Sequence, residues 1–319
     1  MTTKIGVVYS REQDPSGLPA AARRAEELGF DQFWIVEDCF YMGGISQAAI
    51  ALTATSTIKV GIGINPGVAH NAAILAMEYS TLARAFPGRL IGGLGHGVDI
   101  WMKQIGENVA SPLTAIEETA VAMKRMLAGE RFSVDGRYVK LTDVQLDPPP
   151  AVAPPILFGV RQEKSIRLAG KVADGVLLGT NSGADYIRWS RNLMDQGNKE
   201  RGTLGVFTHA WIDDNDPEGA RDIVRRVVAG AIGNEIAPNT AVLSYVDELK
   251  TLIDAGGPDS LYQSMPDHWV TDIGVSGSGE QARGTIRNAA EAGADFVVLA
   301  SMPEWDWMEW LHGCAAILK

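Results

Sequence analysis

Five short stretches of this 319-residue chain carry side chains that can move protons or hold anions, or backbone left bare by glycine. Glu37 and Asp38 are adjacent carboxylates that follow the apolar run FWIV. A desolvated carboxyl has a raised pKa and can serve as general acid or base, whereas the plainer roles are a helix N-cap or a salt bridge. Neighbours along a strand face opposite ways, so one of the two at most is expected to point inward. His96 stands between Gly95 and Gly97. Its ordinary pKa of about 6.5 suits proton transfer near neutrality, and the alternative is a hydrogen-bonding spacer in a loop. In KVGIGINPGVAHN, Gly61 and Gly63 flank Ile62, and Asn65-Pro66 follow. Glycine inside a strand marks either close approach of the backbone to a ligand or a tight barrel corner. Arg161 and Gln162 precede a helix that starts near Lys164, where exposed amides beside a guanidinium suit a phosphate. Ser278 and Gln281 fit a capping box, with Ser276 and Gly277 as further phosphate contacts.

Other chemistries lack their signatures. His70, His209, His268 and His312 show no H-E-x-x-H or Cys/His ligand spacing, so no metal site is expected. No G-x-S-x-G elbow is present, and no G-x-G-x-x-G follows the first strand; GIGINPG and GGLGHG sit within or at the end of strands instead. A net charge of −11 argues against nucleic acid or an anionic membrane as partner, and no apolar run reaches the roughly 18 residues of a membrane span. The start MTTKIGVVYS has no basic-then-apolar leader, and Cys39 and Cys314 are too few for a disulfide framework. A reduced, cytoplasmic enzyme is the expectation.

The elements that must position these residues show a repeated joint. AEELGFDQFWIVED from Ala25, AEAGADFVVLAS from Ala290 and, more loosely, RLAGKVADGVLLGTN from Arg167 each run a helix into Gly and then Asp into an apolar strand. Gly in the αL conformation caps the helix, and an apolar strand fed by a helix belongs to a covered parallel sheet. Eight such strands can be read: Lys4 to Ser10, Gln32 to Asp38, Ile58 to Asn65, Arg89 to Gly95, Pro155 to Val160, Gly175 to Thr180, Leu204 to Ile212 and Asp295 to Ser301. Helical patterns such as Leu18 to Leu28, Ala72 to Phe86 and Leu113 to Leu127 lie between them. The fold class is therefore α/β, a TIM (β/α)8 barrel over residues 1–319, with the site at the strands' C-terminal ends. Two stretches break the alternation. One is a hairpin on a type I′ turn at Asp135-Gly136, near 131–146; the other, near 213–276, holds helices around Pro217 to Ala231 and Val242 to Ala255. Trp305, Trp307 and Trp310 follow the last strand and line a pocket, make a subunit contact or belong to a surface helix.

Taken together, WIVED, GIGINPGVAHN, the run from Ala76 to Gly106 that contains FPGRLIGGLGHG, and LAGKVADGVLLG resemble the luciferase-like superfamily of flavin- and deazaflavin-dependent oxidoreductases. The resemblance covers nearly the whole chain and is strongest to the branch that uses coenzyme F420, including methylenetetrahydromethanopterin reductase-like proteins. It implies a homodimeric barrel that transfers a hydride between a deazaflavin and a small, partly apolar organic substrate. It also implies a non-proline cis bond at Ile62–Gly63 backing the ring, with Asn65 on the cofactor's polar edge and Gly95 and Gly97 as bare backbone nearby. Gly159, Val160, Arg161 and Gln162 would hold the cofactor's phosphate, with Thr180 and Asn181 close by. Where several relatives carry Asp-His after the second strand this chain has Glu37-Asp38, and Val98 and Trp101 stand where some place Glu and Asn. Acid/base work then falls to Asp38 or Glu37 first and His96 second. FMN in place of F420, in a monooxygenase or reductase, is the close alternative. A cofactor-binding or storage protein without turnover is a further one.

Overall fold

The computed structural model describes residues 3–197 and 201–319. In chain order the strands are β1 (Lys4–Val8), β2 (Gln32–Ile35), β3 (Lys59–Ile62), β4 (Asn65–Pro66), β5 (Leu90–Gly95), β6 (Phe132–Asp135), β7 (Lys140–Val144), β8 (Ile156–Gly159), β9 (Gly175–Leu178), β10 (Thr203–Ile212), β11 (Val275–Gly277) and β12 (Phe296–Ala300). The α-helices are α1 (Leu18–Leu28), α2 (Gly44–Ala54), α3 (Ala72–Ala85), α4 (Asp99–Gln104), α5 (Pro112–Leu127), α6 (Glu163–Val172), α7 (Ala184–Asp195), α8 (Pro217–Ile232), α9 (Val246–Ser264), α10 (Asp267–Ile273), α11 (Gly279–Glu291) and α12 (Trp307–Cys314).

Strands β12, β1, β2, β3, β5, β8, β9 and β10 are parallel neighbours in that order, and β10 pairs back onto β12, so eight strands close into a barrel. The expected strands are all present; those expected to end at Ser10, Asp38, Asn65, Val160, Thr180 and Ser301 stop one to three residues earlier, whereas the fourth and seventh end at Gly95 and Ile212 as expected. The repeated joint has a specific job. Asp31 accepts the Ile5 N–H at 2.9 Å, Asp174 the Ile156 N–H at 2.8 Å and Asp295 the Leu204 N–H at 2.8 Å. Each Asp thus ties the start of its own strand to the start of the neighbouring one, and each also pairs with a cation: Lys4, Lys124 or Arg191. Gly29 caps α1 with φ 93° as expected. Gly170 does not cap; it lies inside α6, where a Cβ would sit 2.2 Å from the Met194 carbonyl oxygen, so it is needed for close packing of α6 on α7.

Val8, Trp34, Ile91, Leu157, Leu177, Phe296 and Val298 fill the barrel interior, with Phe207 and Ile64 partly buried against them. A second, larger layer lies between barrel and helices. The late tryptophans belong mostly to that layer: Trp307 and Trp310 are buried and donate to the carbonyls of Val8 and Ala210, while Trp305 packs edge-on against Trp211. The insertion after β10 has a small core of its own, in which Val224, Val228, Leu249, Leu261 and Trp269 meet. Its second helix starts at Val246 and is broken at Gly256 and Gly257, so its first leg ends near the expected Ala255; α10 and β11 have no counterpart in the periodicity reading. The hairpin forms as β6 and β7, but its apex is at Arg137-Tyr138 and neither Asp135 nor Gly136 has the positive φ of a type I′ turn. The Glu118 carboxylate on α5 accepts the N–H groups of Arg137, Tyr138 and Val139 and so sets the turn from outside. Among the described residues no helix is long and apolar enough to cross a membrane.

Candidate active site

The exits of β2, β4, β5 and β8 surround a cavity of about 550 Å³ at the C-terminal mouth of the barrel. Both Glu37 and Asp38 line it, against the expectation that only one would. The strand rule does not reach them because β2 ends at Ile35; the Val36 carbonyl accepts from Gln47 Nε2 rather than from a ladder partner, and the chain turns.

The two carboxylates have different surroundings. Glu37 Oε2 accepts from Gly44 N–H at 2.7 Å and from Asn65 Nδ2 at 3.0 Å, while Oε1 meets His70 Nε2 at 2.5 Å. Asn65 is fully buried and takes the Tyr79 hydroxyl at 2.8 Å, so Tyr79, Asn65, Glu37 and His70 form one chain of hydrogen bonds. Burial works against a charge on His70, but the bond to Glu37 and its charge outweigh this and raise the imidazole pKa above its ordinary value. Asp38 instead meets the permanent cation Arg11 at 2.7 Å, and Arg11 also bonds Glu12 and lies against the rings of Tyr41 and Trp101. Cys39 lines the cavity as well; burial and the charges of Glu37 and Asp38 push its thiol up, which keeps it protonated rather than nucleophilic. His96 also lines the cavity, with Nε2 3.2 Å from Ser165 Oγ, and burial lowers its pKa. Near neutrality His96 is therefore a neutral imidazole.

The backbone at the third barrel strand departs from the expected geometry by one residue. The cis bond is Gly63–Ile64, not Ile62–Gly63. Gly63 N–H still donates to Ile35 O at 2.8 Å, so the chain stays in register with β2 through that amide and leaves only afterwards, before β4 pairs with β5. Ile64 then lies across the mouth. A Cβ on Gly95 or on Gly159 would meet its side chain at 2.5 or 2.6 Å, so those glycines make the slot in which Ile64 lies. Ile64 and Gly63 form a wall of the cavity.

Of the positions expected to bind a cofactor, Gly63, Gly97, Gly159, Val160, Arg161 and Gln162 line the cavity. Ile62 does not, being fully buried in the layer under the helices, and Asn65 is occupied by Glu37 and Tyr79. Gly95 is buried behind Ile64. Thr180 and Asn181 lie off the lining, and their carbonyls accept from Asn239 Nδ2 of the insertion. Three participants carry no distinctive spacing in the sequence: Arg11, Ile64 and His70. The one hint of the last is its place five residues beyond Asn65, on the same exit loop.

At the β8 exit the N-terminus of α6 opens on the cavity. Gln162 stands at its N-cap without a side-chain capping bond, and Arg161, Lys164 and Ser165 are at the cavity edge. Free amides and two cations make this an anion-binding end. Glu37, Asp38, Asp99 and Glu107 are the acidic residues of the lining.

Comparison with known proteins gives the same grouping. A 5,10-methylenetetrahydromethanopterin reductase of Archaeoglobus fulgidus is 24% identical over 312 residues, covering 93% of each chain. An F420-dependent glucose-6-phosphate dehydrogenase of Nakamurella multipartita is 28% identical over 206 residues, 60% of each chain. Among solved structures, the coenzyme F420 dependent tetrahydromethanopterin reductase of Methanopyrus kandleri superposes with TM-score 0.80 at 20% identity, covering 99% of this chain and 98% of that one. The oxygenating constituent of 3,6-diketocamphane monooxygenase of Pseudomonas putida, in complex with FMN, superposes with TM-score 0.74 at 19% identity, covering 100% and 97%. The sequence profile of the luciferase-like monooxygenases matches residues 1–295, which is most of the chain, and this barrel is accordingly a member of the luciferase-like monooxygenase family.

Proposed function

We propose that this protein is a coenzyme F420-dependent oxidoreductase that transfers a hydride between the deazaflavin and a small, partly apolar organic substrate. The observation that carries the reading is the make-up of the mouth: a cavity of about 550 Å³ walled in part by Gly63 and Ile64, with Arg161, Gln162 and Lys164 lining it at the open N-terminus of α6. That volume is in the range of small-ligand and cofactor sites. A planar ring fits the wall and a phosphate-bearing tail fits the α6 end, so the residues present suit the group. When bound, such a cofactor supplies the hydride chemistry. The chain's own residues do the rest. Ile64 would back the ring, Arg161 and Lys164 with the first amides of α6 would hold the phosphate, and the apolar residues of the lining would exclude water. Glu37 takes or gives the proton at the substrate heteroatom. Asp38, neutralised by Arg11, orders the mouth, and His96, neutral near pH 7, donates or accepts a hydrogen bond beside α6.

FMN is the second reading, favoured by the FMN-bound structural neighbour. Spectral titration of the apoprotein with F420 and with FMN at one pH and ionic strength separates them. Low-micromolar binding of F420, about −8 kcal/mol at 1 µM, with no measurable FMN binding is the expected outcome; the reverse overturns it. The whole chain would work as one luciferase-like domain carrying the hairpin and the helical insertion, as a cytoplasmic homodimer. The exposed Ile50 of α2 and Ile74 and Met77 of α3 supply a face for a second copy.

A further inference from the structure

Glu37 faces the cavity with both oxygens engaged, and the partners of the two differ in kind. Oε2 is held by neutral donors, the Gly44 amide and Asn65, and Asn65 is itself fixed by the Tyr79 hydroxyl. These fix one rotamer of the Glu37 side chain. Oε1 has His70, which is the single ion-pair partner of Glu37 among the described residues. Its cation is thus one that titrates near neutrality, whereas Asp38 next door has an arginine. The imidazole is well anchored, because the next residue, Asn71, caps α3 through the amides of Ala73 and Ile74. It also remains open to proton exchange, with 27% of its side chain exposed against 15% for Glu37. The charged groups facing it are Glu37 from the β2 exit and Glu78 from α3; both are acidic and both raise its pKa against the opposing effect of burial.

We propose that His70 is a positioning residue that delivers and withdraws the proton of Glu37, so that the Glu37–His70 pair is the acid/base unit facing the cavity. This rests on the oxidoreductase reading above. In the reducing direction bound reduced F420 would supply the hydride for the substrate carbon. One proton passes from His70 Nε2 through the Glu37 carboxylate to the substrate heteroatom, leaving a neutral imidazole that solvent reprotonates. The oxidising direction runs the same transfers backwards. A carboxylate–imidazole pair is therefore present although the imidazole expected after β2 is missing; it comes from the exit loop of β4.

The test has two arms. In the first, the histidine ring resonances of apoprotein are followed by NMR against pH, with His70→Asn to assign the signal. His70 is expected to titrate above the free-histidine value of about 6.5. In Glu37→Gln it is expected to titrate below that of the wild type, since burial then opposes only the charge of Glu78. In the second arm, turnover of F420 with a panel of acceptors is measured against pH. His70→Asn, a substitution at a partly exposed side chain, is expected to lower kcat on the order of 10²-fold and to abolish the alkaline limb of the profile, with KM within about twofold. Turnover with an unchanged pH profile in His70→Asn, or a His70 titration indifferent to Glu37→Gln, overturns the pair and leaves the oxidoreductase standing. A coupled titration with no turnover of any acceptor overturns the oxidoreductase reading, and with it the acid/base role, leaving an ion pair alone.

Discussion

Ile64 occupies space that two strands have vacated. A Cβ on Gly93, Gly95 or Gly159 would come within 3.0, 2.5 or 2.6 Å of its side chain. In the sequence Gly95 and Gly159 read as backbone beside a ligand; in the structure both are covered by the Ile64 side chain, which lines the cavity. Gly159→Ala is therefore expected to push Ile64 into the cavity and weaken cofactor binding about tenfold or more, as overpacking of 1 to 3 kcal/mol implies. Adding Ile64→Ala should restore part of the loss, a coupling that a double-mutant cycle on titrated dissociation constants measures. Additive effects would mean that the two side chains do not compete. The Glu37–His70 pair makes a prediction for stability as well. The folded pKa of His70 is raised, so the pair's contribution is complete below about pH 6.5 and is lost as pH rises through the folded value. Melting curves of wild type and His70→Asn should converge on going from pH 6 to pH 9. A gap that widens with pH contradicts the ion pair.

Between elements, single carboxylates do the joining. Glu26 of α1 accepts the amides of Ser56, Thr57 and Ile58 and the Thr57 hydroxyl, and so fastens the loop that leads into β3. Partial burial raises its pKa, but the three amide bonds more than offset this and lower it to about 2. The sign follows: this stabilisation is present above the unfolded value near 4.5 and disappears as pH falls toward about 2. Glu26→Ala is expected to cost about 2 kcal/mol at pH 7, or roughly 4 °C in Tm, with the deficit vanishing at low pH. Equal melting of the two proteins at pH 7 would show that the loop holds without it. Glu118 does the same for the hairpin apex, which is why the turn departs from what Asp135-Gly136 suggests. A local dipeptide preference is worth less than three hydrogen bonds to one carboxylate from another helix.

Across the whole molecule, most residues of the barrel strands are buried, yet α2 and α3 leave Ile50, Ile74 and Met77 37%, 52% and 50% exposed. Sedimentation equilibrium is expected to give a dimer, and Ile74→Glu with Met77→Glu to give a monomer of unchanged circular dichroism. A monomeric wild type would remove the proposal. The cavity lining also carries both signs of charge, Arg161 and Lys164 beside the start of α6 and the acidic Glu37, Asp38, Asp99 and Glu107. Arg161→Ala should weaken F420 binding about tenfold and make the remaining affinity less sensitive to salt, which titrations at two ionic strengths measure.

The sequence by itself determined the barrel and its orientation. Eight apolar strands fed by helices have few other ways to bury both faces, and the Asp that opens a strand in each repeated joint was visible as a letter in every copy. Its function there, tying neighbouring strands together, was not, because the bond runs to a residue some 20 to 90 positions away. At the site, the exits of the second, third, fourth and fifth barrel strands were legible because a strand's C-terminal end must open on the mouth, and so Glu37, Asp38, His96, Gly63 and Arg161 could be named from position alone. Only the tertiary structure decided their partners. Arg11 rather than an unpaired environment holds Asp38, His70 rather than a neighbour in sequence holds Glu37, and Asn65 faces Tyr79 and Glu37 instead of a ligand. The physical reason is that proton affinity and exposure depend on partners brought within 3 Å by packing, and one sequence position says nothing about which strand's loop will supply them.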